Sequence, residues 1–226
     1  RPLSGKIRVA LQYLFFRNGP LSMSLNQGGG FVKSDPTLDV PDLQLYFSPL
    51  SYSTAPYGRR PLMMPDPYPA VRLGFSLCKP TSEGSISIQS ADSSVPPKFF
   101  GNYLSTRYDQ KTMISGMKLM RKLAATEALK KIVHTEMSPG KDVKSDAELL
   151  EYARLHGETV FHQCGTCRMG DNPANSVVDG KLKVRGVYGL RIADASIFPT
   201  IPSGNINAPS IMVGEKAAEL ILQENK

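Results

Sequence analysis

The 226-residue sequence has no run of 18 or more apolar residues, so a helical membrane span is not expected. It has only three cysteines, Cys78, Cys164 and Cys167. An odd, sparse set of this kind makes no disulfide framework and fits a reducing, cytoplasmic compartment. No Asn-x-Ser/Thr triplet occurs, so nothing marks a glycosylated secreted chain. The N-terminal stretch RPLSGKIRVALQYLFFRNG has a basic start and an apolar patch, but Arg8, Gln12, Arg17 and Asn18 interrupt it and no small-residue cleavage site follows. It is an amphipathic helix pattern and not a signal peptide. The chain also lacks an initiator methionine and opens in what reads as the middle of a fold; a fragment of a longer protein is expected.

What is present is ordinary for a globular domain: 41% hydrophobic and 21% charged residues in a length that can bury a sizeable core. The net charge of +7 invites a nucleic-acid reading. The basic residues are dispersed, however, with Arg59-Arg60, Arg121-Lys122 and Lys130-Lys131 the densest groups, and no RNA- or DNA-binding motif accompanies them. No nucleic-acid partner is expected, and the excess charge is assigned to a solvated surface.

Helical periodicity covers residues 5 to 17 and stops at Gly19-Pro20. The triplet Gly28-Gly29-Gly30 reads as a turn or bulge, with no helix after it to make a phosphate loop. Near-period-2 alternation predicts strands over 43–47, 70–78 and 85–89. Between the first two lies SYSTAPYGRRPLMMPDPYP, too proline-rich for a sheet interior, an excursion over a surface or a site. A long helix is expected from Asp109, its cap, to about His134, with Met113, Met117, Met120 and Ala124 on one packing face. Ser145 and Glu148 form a capping box for a second helix, and Gly157 is placed as its left-handed C-terminal residue. Short strands are expected at 177–179, 181–184 and 190–194, and a last helix from Asn207 as cap with Pro209 in the first turn. Strands, then helices, then strand and helix again suggest α+β.

The second helix leads into FHQCGTCRMG, residues 161 to 170. Three chemistries suit a histidine and a C-x-x-C pair at this spacing. A structural zinc needs four ligands, and His162, Cys164 and Cys167 supply three in a spacing that is not a common zinc repeat. A redox dithiol needs the pair at a helix N-terminus, whereas Gly170-Asp171-Asn172-Pro173 ends any helix within a turn. In the third reading His162 is the chemical residue and the glycine-containing turn positions it.

FHQCGTCRMG is followed by VVDGKLKVRGVYGLRIADAS and PTIPSGNINAPSIMVGEKAA, and preceded by CKPTSEGSISIQSAD and FFGNYLSTRYDQKTMISGMKLMRKLA. This ordered set resembles the C-terminal signature and the substrate-domain segments of the glucose-methanol-choline (GMC) oxidoreductase family, choline dehydrogenase-like members in particular, over nearly the whole chain. The G-x-G-x-x-G fingerprint with which such proteins hold the ADP part of FAD is missing. The resemblance therefore implies only the C-terminal part of the enzyme: an antiparallel-sheet substrate domain with flanking helices over residues 1–160, and a signature segment over 161–226 belonging to the FAD-binding α/β domain. The missing N-terminal part would be its partner, and the isolated chain would hold FAD weakly or not at all.

The resemblance also implies roles. His162 falls on the family's catalytic histidine, and imidazole changes protonation near neutral pH. Asn205 falls on its histidine-or-asparagine partner, would hydrogen-bond the substrate oxygen, and is counted with the residues that touch FAD. Asp194 and Ala195 fall on a segment that contacts the phosphate and ribityl region of FAD. Asn207 and Pro209 open a helix whose positive end would face the anionic edge of reduced flavin. The activity implied is oxidation of a primary alcohol by an oxidase or a dehydrogenase, with no metal. A metal or thiol-redox module on His162, Cys164 and Cys167, or an inactive unit serving only folding or interaction, stands as the alternative. Tyr46, Tyr52, Tyr57 and Tyr68 are assigned to surface and core and not to a cation cage.

Overall fold

A computed structural model describes residues 3–52 and 65–224. Its elements run α1 (Leu3–Phe16), β1 (Gly28–Val32), β2 (Leu43–Ser48), β3 (Arg72–Leu77), β4 (Ser85–Ser87), β5 (Lys98–Phe100), α2 (Arg107–Ala124), α3 (Asp146–His156) and α4 (Asn207–Glu224). Helices and antiparallel strands are mixed, as an α+β substrate domain requires. Most of the 51–69 excursion, with Tyr57, Arg59 and Arg60, lies outside the described residues. Among the described residues no helix is long and apolar enough to cross a membrane.

The chain divides into two compact units, Arg1–Ser76 with Gly116–Asp142, and Leu77–Ser115 with Val143–Lys226. In the first, β1, β2 and β3 form a sheet in that order. The expected glycine turn is strand β1, paired antiparallel with β2 so that Gly29 faces Tyr46. A Cβ on Gly29 would lie 2.2 Å from the Leu45 carbonyl oxygen, so close strand approach explains the glycine, not a turn. Likewise a Cβ on Gly116 would overlap the Phe75 ring at 2.3 Å. In this unit Tyr46 Oη lies 3.0 Å from Ser76 Oγ, and Arg72 covers the Tyr52 ring at 4.9 Å. Tyr68 is exposed.

The second unit corrects several boundaries. Helix α2 starts before Asp109, and the capping contact is Thr106 Oγ1 accepting from Asp109 N at 3.3 Å. Asp109 is buried and serves a neighbouring loop: its Oδ1 accepts from Thr81 N at 2.8 Å and Thr81 Oγ1 at 3.0 Å, and its Oδ2 from Ser82 N at 2.8 Å. Burial alone would raise its pKa, but these hydrogen bonds from Ser82 and Thr81 outweigh it and hold the carboxyl below its ordinary range. The helical pattern to His134 breaks at Ala124, beyond which the chain makes turns.

The capping box of α3 forms as expected, Ser145 accepting from Glu148 N while the Glu148 carboxylate accepts from Ser145 N at 2.8 Å. Gly157 closes that helix with φ −69° and ψ 144°, not left-handed. Its N–H donates to Ala153 O, and a Cβ there would lie 2.4 Å from that oxygen. The segments at 177–179, 181–184 and 190–194 make isolated bridges, Val178 with Val184 and Lys183 with Arg191, in place of strands. The backbone turns too often for a ladder: Leu182, Gly186 and Gly189 have φ of 65°, 75° and 75°, and Asp179 Oδ1 accepts from both Lys181 N and Lys183 N.

Candidate active site

The core of the second unit is Val178, Leu182, Ile197, Phe198, Ile206, Val213 and Ala217, with Cys164 among the partly buried side chains packed against it. Ile206 neighbours Asn205 in the chain and Cys164 follows His162 by two residues, so apolar anchors draw the two candidate segments to one core. Main-chain bonds add direction. Cys167 N donates to Ser196 O at 3.0 Å and Met169 N to Ile197 O at 2.7 Å, fixing the signature loop on the Ala195–Ile197 turn. Gly165 has φ 88°, and a Cβ on it would lie 3.3 Å from Phe198 O.

His162 is half-buried and Asn205 exposed. Across 43 residues of chain their side chains meet, with Asn205 Nδ2 2.6 Å from His162 Nε2. The contact is satisfied when the amide N–H donates to an unprotonated Nε2, or, with the amide turned over, when Nε2–H donates to Oδ1. In the first arrangement a proton acceptor and an amide donor face one point. Backbone conformation sets up both sides: Phe161, before the histidine, has φ 59°, and Ser203 and Gly204, before the asparagine, have φ 32° and 145°. Positive φ on non-glycine residues is costly and clusters at functional sites.

The other expected residues are near in sequence but have their own local partners. Asp194 Oδ1 accepts from Ser196 N at 2.7 Å, capping the turn that includes Ala195. Asn207 is the first helical residue of α4 and not its cap; Ile206, whose O accepts from Ser210 N at 2.9 Å, precedes it. Pro209 sits in the first turn, where its missing N–H leaves no intrahelical bond unmade. That turn carries no acidic residue.

Burial pushes the Cys164 thiol up, against the charge of Arg168, the opposite of the depressed pKa of a reactive dithiol. Among the described residues no group of three His, Cys, Asp or Glu is placed to hold a metal ion. A groove of about 690 Å³ lined by Lys183, Val187, Tyr188, Arg191 and Glu224 includes neither His162 nor Asn205. It is shaped by Glu224, which bridges Lys183 at 2.8 Å and also pairs with Arg191. Hydrogen bonds from Lys183 and Arg191 lower the Glu224 pKa to about 2. A structural ion-pair node accounts for this groove.

The contacts made by two residues of the signature loop escape sequence reasoning. Gln163 Nε2 donates to Tyr103 Oη at 2.9 Å and to Thr159 Oγ1 at 2.8 Å, and Arg168 pairs with Glu83 at 3.1 Å. No periodicity announces either; the sequence signal is only that a long polar side chain adjoins His162.

The family model described as GMC oxidoreductase matches residues 80–214. The chain is 42% identical over 216 residues to an alcohol dehydrogenase (acceptor) of Pseudomonas putida, covering 94% of this chain and 37% of that protein. It is 38% identical over 213 residues to an oxygen-dependent choline dehydrogenase of Rhizobium johnstonii, covering 93% and 38%. Among solved structures, a formate oxidase of Aspergillus oryzae, studied for its FAD modification, superposes with a TM-score of 0.84 at 26% identity, covering 99% of this chain and 42% of that one. The chain thus spans well under half the length of these relatives.

Proposed function

The chain belongs to the GMC oxidoreductase family, and from that premise we propose that it supplies the substrate side and the proton-transfer pair of an FAD-dependent enzyme oxidising a primary alcohol to its aldehyde. Choline-like, aliphatic and aromatic alcohols are the substrate classes. Residues 1–160 are assigned to substrate binding and 161–226 to the segment that meets the flavin. The N-terminal part of the same enzyme is the partner, in line with the 37% of the Pseudomonas relative that the chain spans.

The observation that carries this reading is the 2.6 Å approach of Asn205 Nδ2 to His162 Nε2. An alcohol oxygen that displaces this direct contact, the two side chains parting to admit it, can donate its proton to Nε2 and accept from the amide N–H at once. His162 acts as base, and Asn205, which cannot take a proton, holds the developing alkoxide in place. Both are needed because a base alone leaves the charge on oxygen unsupported.

The start of α4 suits the anionic edge of a flavin. It offers the positive end of an 18-residue helix without a carboxylate in the first turn, two residues from Asn205. Asn205, Asn207 and Pro209 there, with Asp194 and Ala195 in the neighbouring turn, are the residues assigned to hold FAD. Bound FAD would supply the hydride acceptor. The metal and thiol alternatives have less support, since the Cys164 thiol is pushed up by burial.

Replacing His162 by alanine in the complete flavoenzyme tests the reading. Anaerobic flavin reduction should fall by about a hundredfold or more with FAD content unchanged. Reduction at the wild-type rate removes His162 as the base.

A further inference from the structure

His162 sits between two residues that are themselves tied down. Phe161, at φ 59°, donates its N–H to Thr159 Oγ1 at 3.0 Å. Gln163 donates from Nε2 to that same Oγ1 at 2.8 Å and to Tyr103 Oη at 2.9 Å. The histidine therefore rides on a turn pinned locally by Thr159 and, from 60 residues away, by one phenol.

Tyr103 is placed for this contact by an unusual arm of chain. Its neighbours Asn102 and Leu104 both have positive φ, 49° and 55°. The ring folds back over Gly101, where a Cβ would meet Tyr103 Cε2 at 2.7 Å, so only glycine leaves room for it. Asn102 Nδ2 donates to Glu83 O at 2.8 Å, and the Glu83 carboxylate pairs with Arg168 at 3.1 Å. The signature loop is thus gripped at Gln163 by Tyr103 and at Arg168 by Glu83, both from the 83–103 stretch. Leu104 O in turn accepts from Gln110 Nε2 at 2.8 Å, so the arm is fixed on both sides of Tyr103. Tyr103 itself is 63% exposed, and its hydroxyl is presented to Gln163.

We propose that Tyr103 is a positioning residue for His162, acting through Gln163: its hydroxyl fixes the turn so that the imidazole stays aimed at Asn205. This rests on the reading of His162 as the base. One peptide unit separates Gln163 from His162, so a swing of the turn carries Nε2 away from its 2.6 Å contact, and proton transfer is steeply sensitive to such misplacement.

The test is a double-mutant cycle in the complete flavoenzyme with Tyr103→Phe, Gln163→Ala and both together, alongside His162→Ala. Flavin reduction is followed anaerobically with choline, benzyl alcohol and 1-butanol, keeping the alcohol turned over fastest. Tyr103→Phe should slow reduction at saturating alcohol by about fivefold, the effect of one neutral hydrogen bond, with KM and FAD content unchanged. The double variant should be no slower than Gln163→Ala, because the Tyr103–Gln163 contact is already absent there. Wild-type rates in Tyr103→Phe, losses that multiply in the double variant, or a raised KM at unchanged kcat would each overturn the proposal. So would loss of FAD or of folding in Tyr103→Phe, since a positioning hydroxyl leaves both intact. The outcomes separate from the broader reading: an unimpaired His162→Ala enzyme removes the base itself, whereas a crippled His162→Ala enzyme with an unimpaired Tyr103→Phe enzyme removes only the positioning role.

Discussion

Asp109→Asn isolates the buried carboxylate that anchors the 81–83 loop. In the native chain its two oxygens accept from Thr81 N, Thr81 Oγ1 and Ser82 N at 2.8, 3.0 and 2.8 Å. Asparagine keeps the shape but turns one oxygen into a donor, so one backbone N–H faces another N–H with no acceptor. An unmade buried bond costs about 1–3 kcal/mol, and the surviving bonds lose their charge assistance. A loss of about 2–3 kcal/mol follows, which for a chain of this size lowers Tm by roughly 5–10 °C. The pH dependence has a definite sign. The folded carboxyl lies below its ordinary range, so its contribution is complete above the unfolded value near 3.9 and is lost as pH falls through the folded value. Thermal unfolding followed by circular dichroism should show the gap between native and variant at pH 7, narrowing below about pH 4. Equal Tm values at pH 7, or a gap that persists unchanged at pH 2, would refute the reasoning.

Asn205→Ala in the complete flavoenzyme should lower the flavin reduction rate by about a hundredfold while FAD stays bound, the scale of removing one oxyanion donor; stopped-flow absorbance measures it. Ser145→Ala should cost about 1 kcal/mol in chemical denaturation by removing the capping box of α3. Glu148, lowered to about 2 chiefly by the Ser145 backbone bond, contributes fully above its unfolded value near 4.3 and loses that contribution as pH falls toward 2. Gly157→Ala should lower Tm because its Cβ would crowd the Ala153 carbonyl at 2.4 Å, whereas Gly180→Ala, with nothing within 4 Å, should leave Tm unchanged.

Elements with repeated local signals were legible in the sequence. The capping box of α3 is found, and so are β2, β3 and α2 as elements, because their signals depend on neighbours within a few positions. What failed depends on distant partners or on the backbone conformation of single residues. Asp109 has the sequence position of a cap, but the acceptors it offers are claimed by Thr81 and Ser82, 28 and 27 residues earlier. Gly28-Gly29-Gly30 looks like a turn because nothing local reveals that the Leu45 carbonyl passes 2.2 Å from where a Cβ of Gly29 would be. The bridges at 177–194 have strand-like composition, yet turns with positive φ recur every few residues and prevent a ladder.

The candidate pair illustrates the same division. The resemblance of the two signature blocks to the family singles out His162 and Asn205, but no local rule brings together side chains 43 positions apart. The core does that. Cys164 and Ile206 pack into one apolar cluster, and the main-chain bonds from Cys167 and Met169 to Ser196 and Ile197 set the orientation of the loop. The cysteines of FHQCGTCRMG then have a use that needs no thiol chemistry: the side chain of one fills the core and the amide of the other docks the turn. A small apolar residue at 164 can do the first, and any residue but proline at 167 can do the second. On the proposed reading the imidazole has no such substitute, because the proton acceptor must sit within hydrogen-bond reach of the amide that holds the same oxygen.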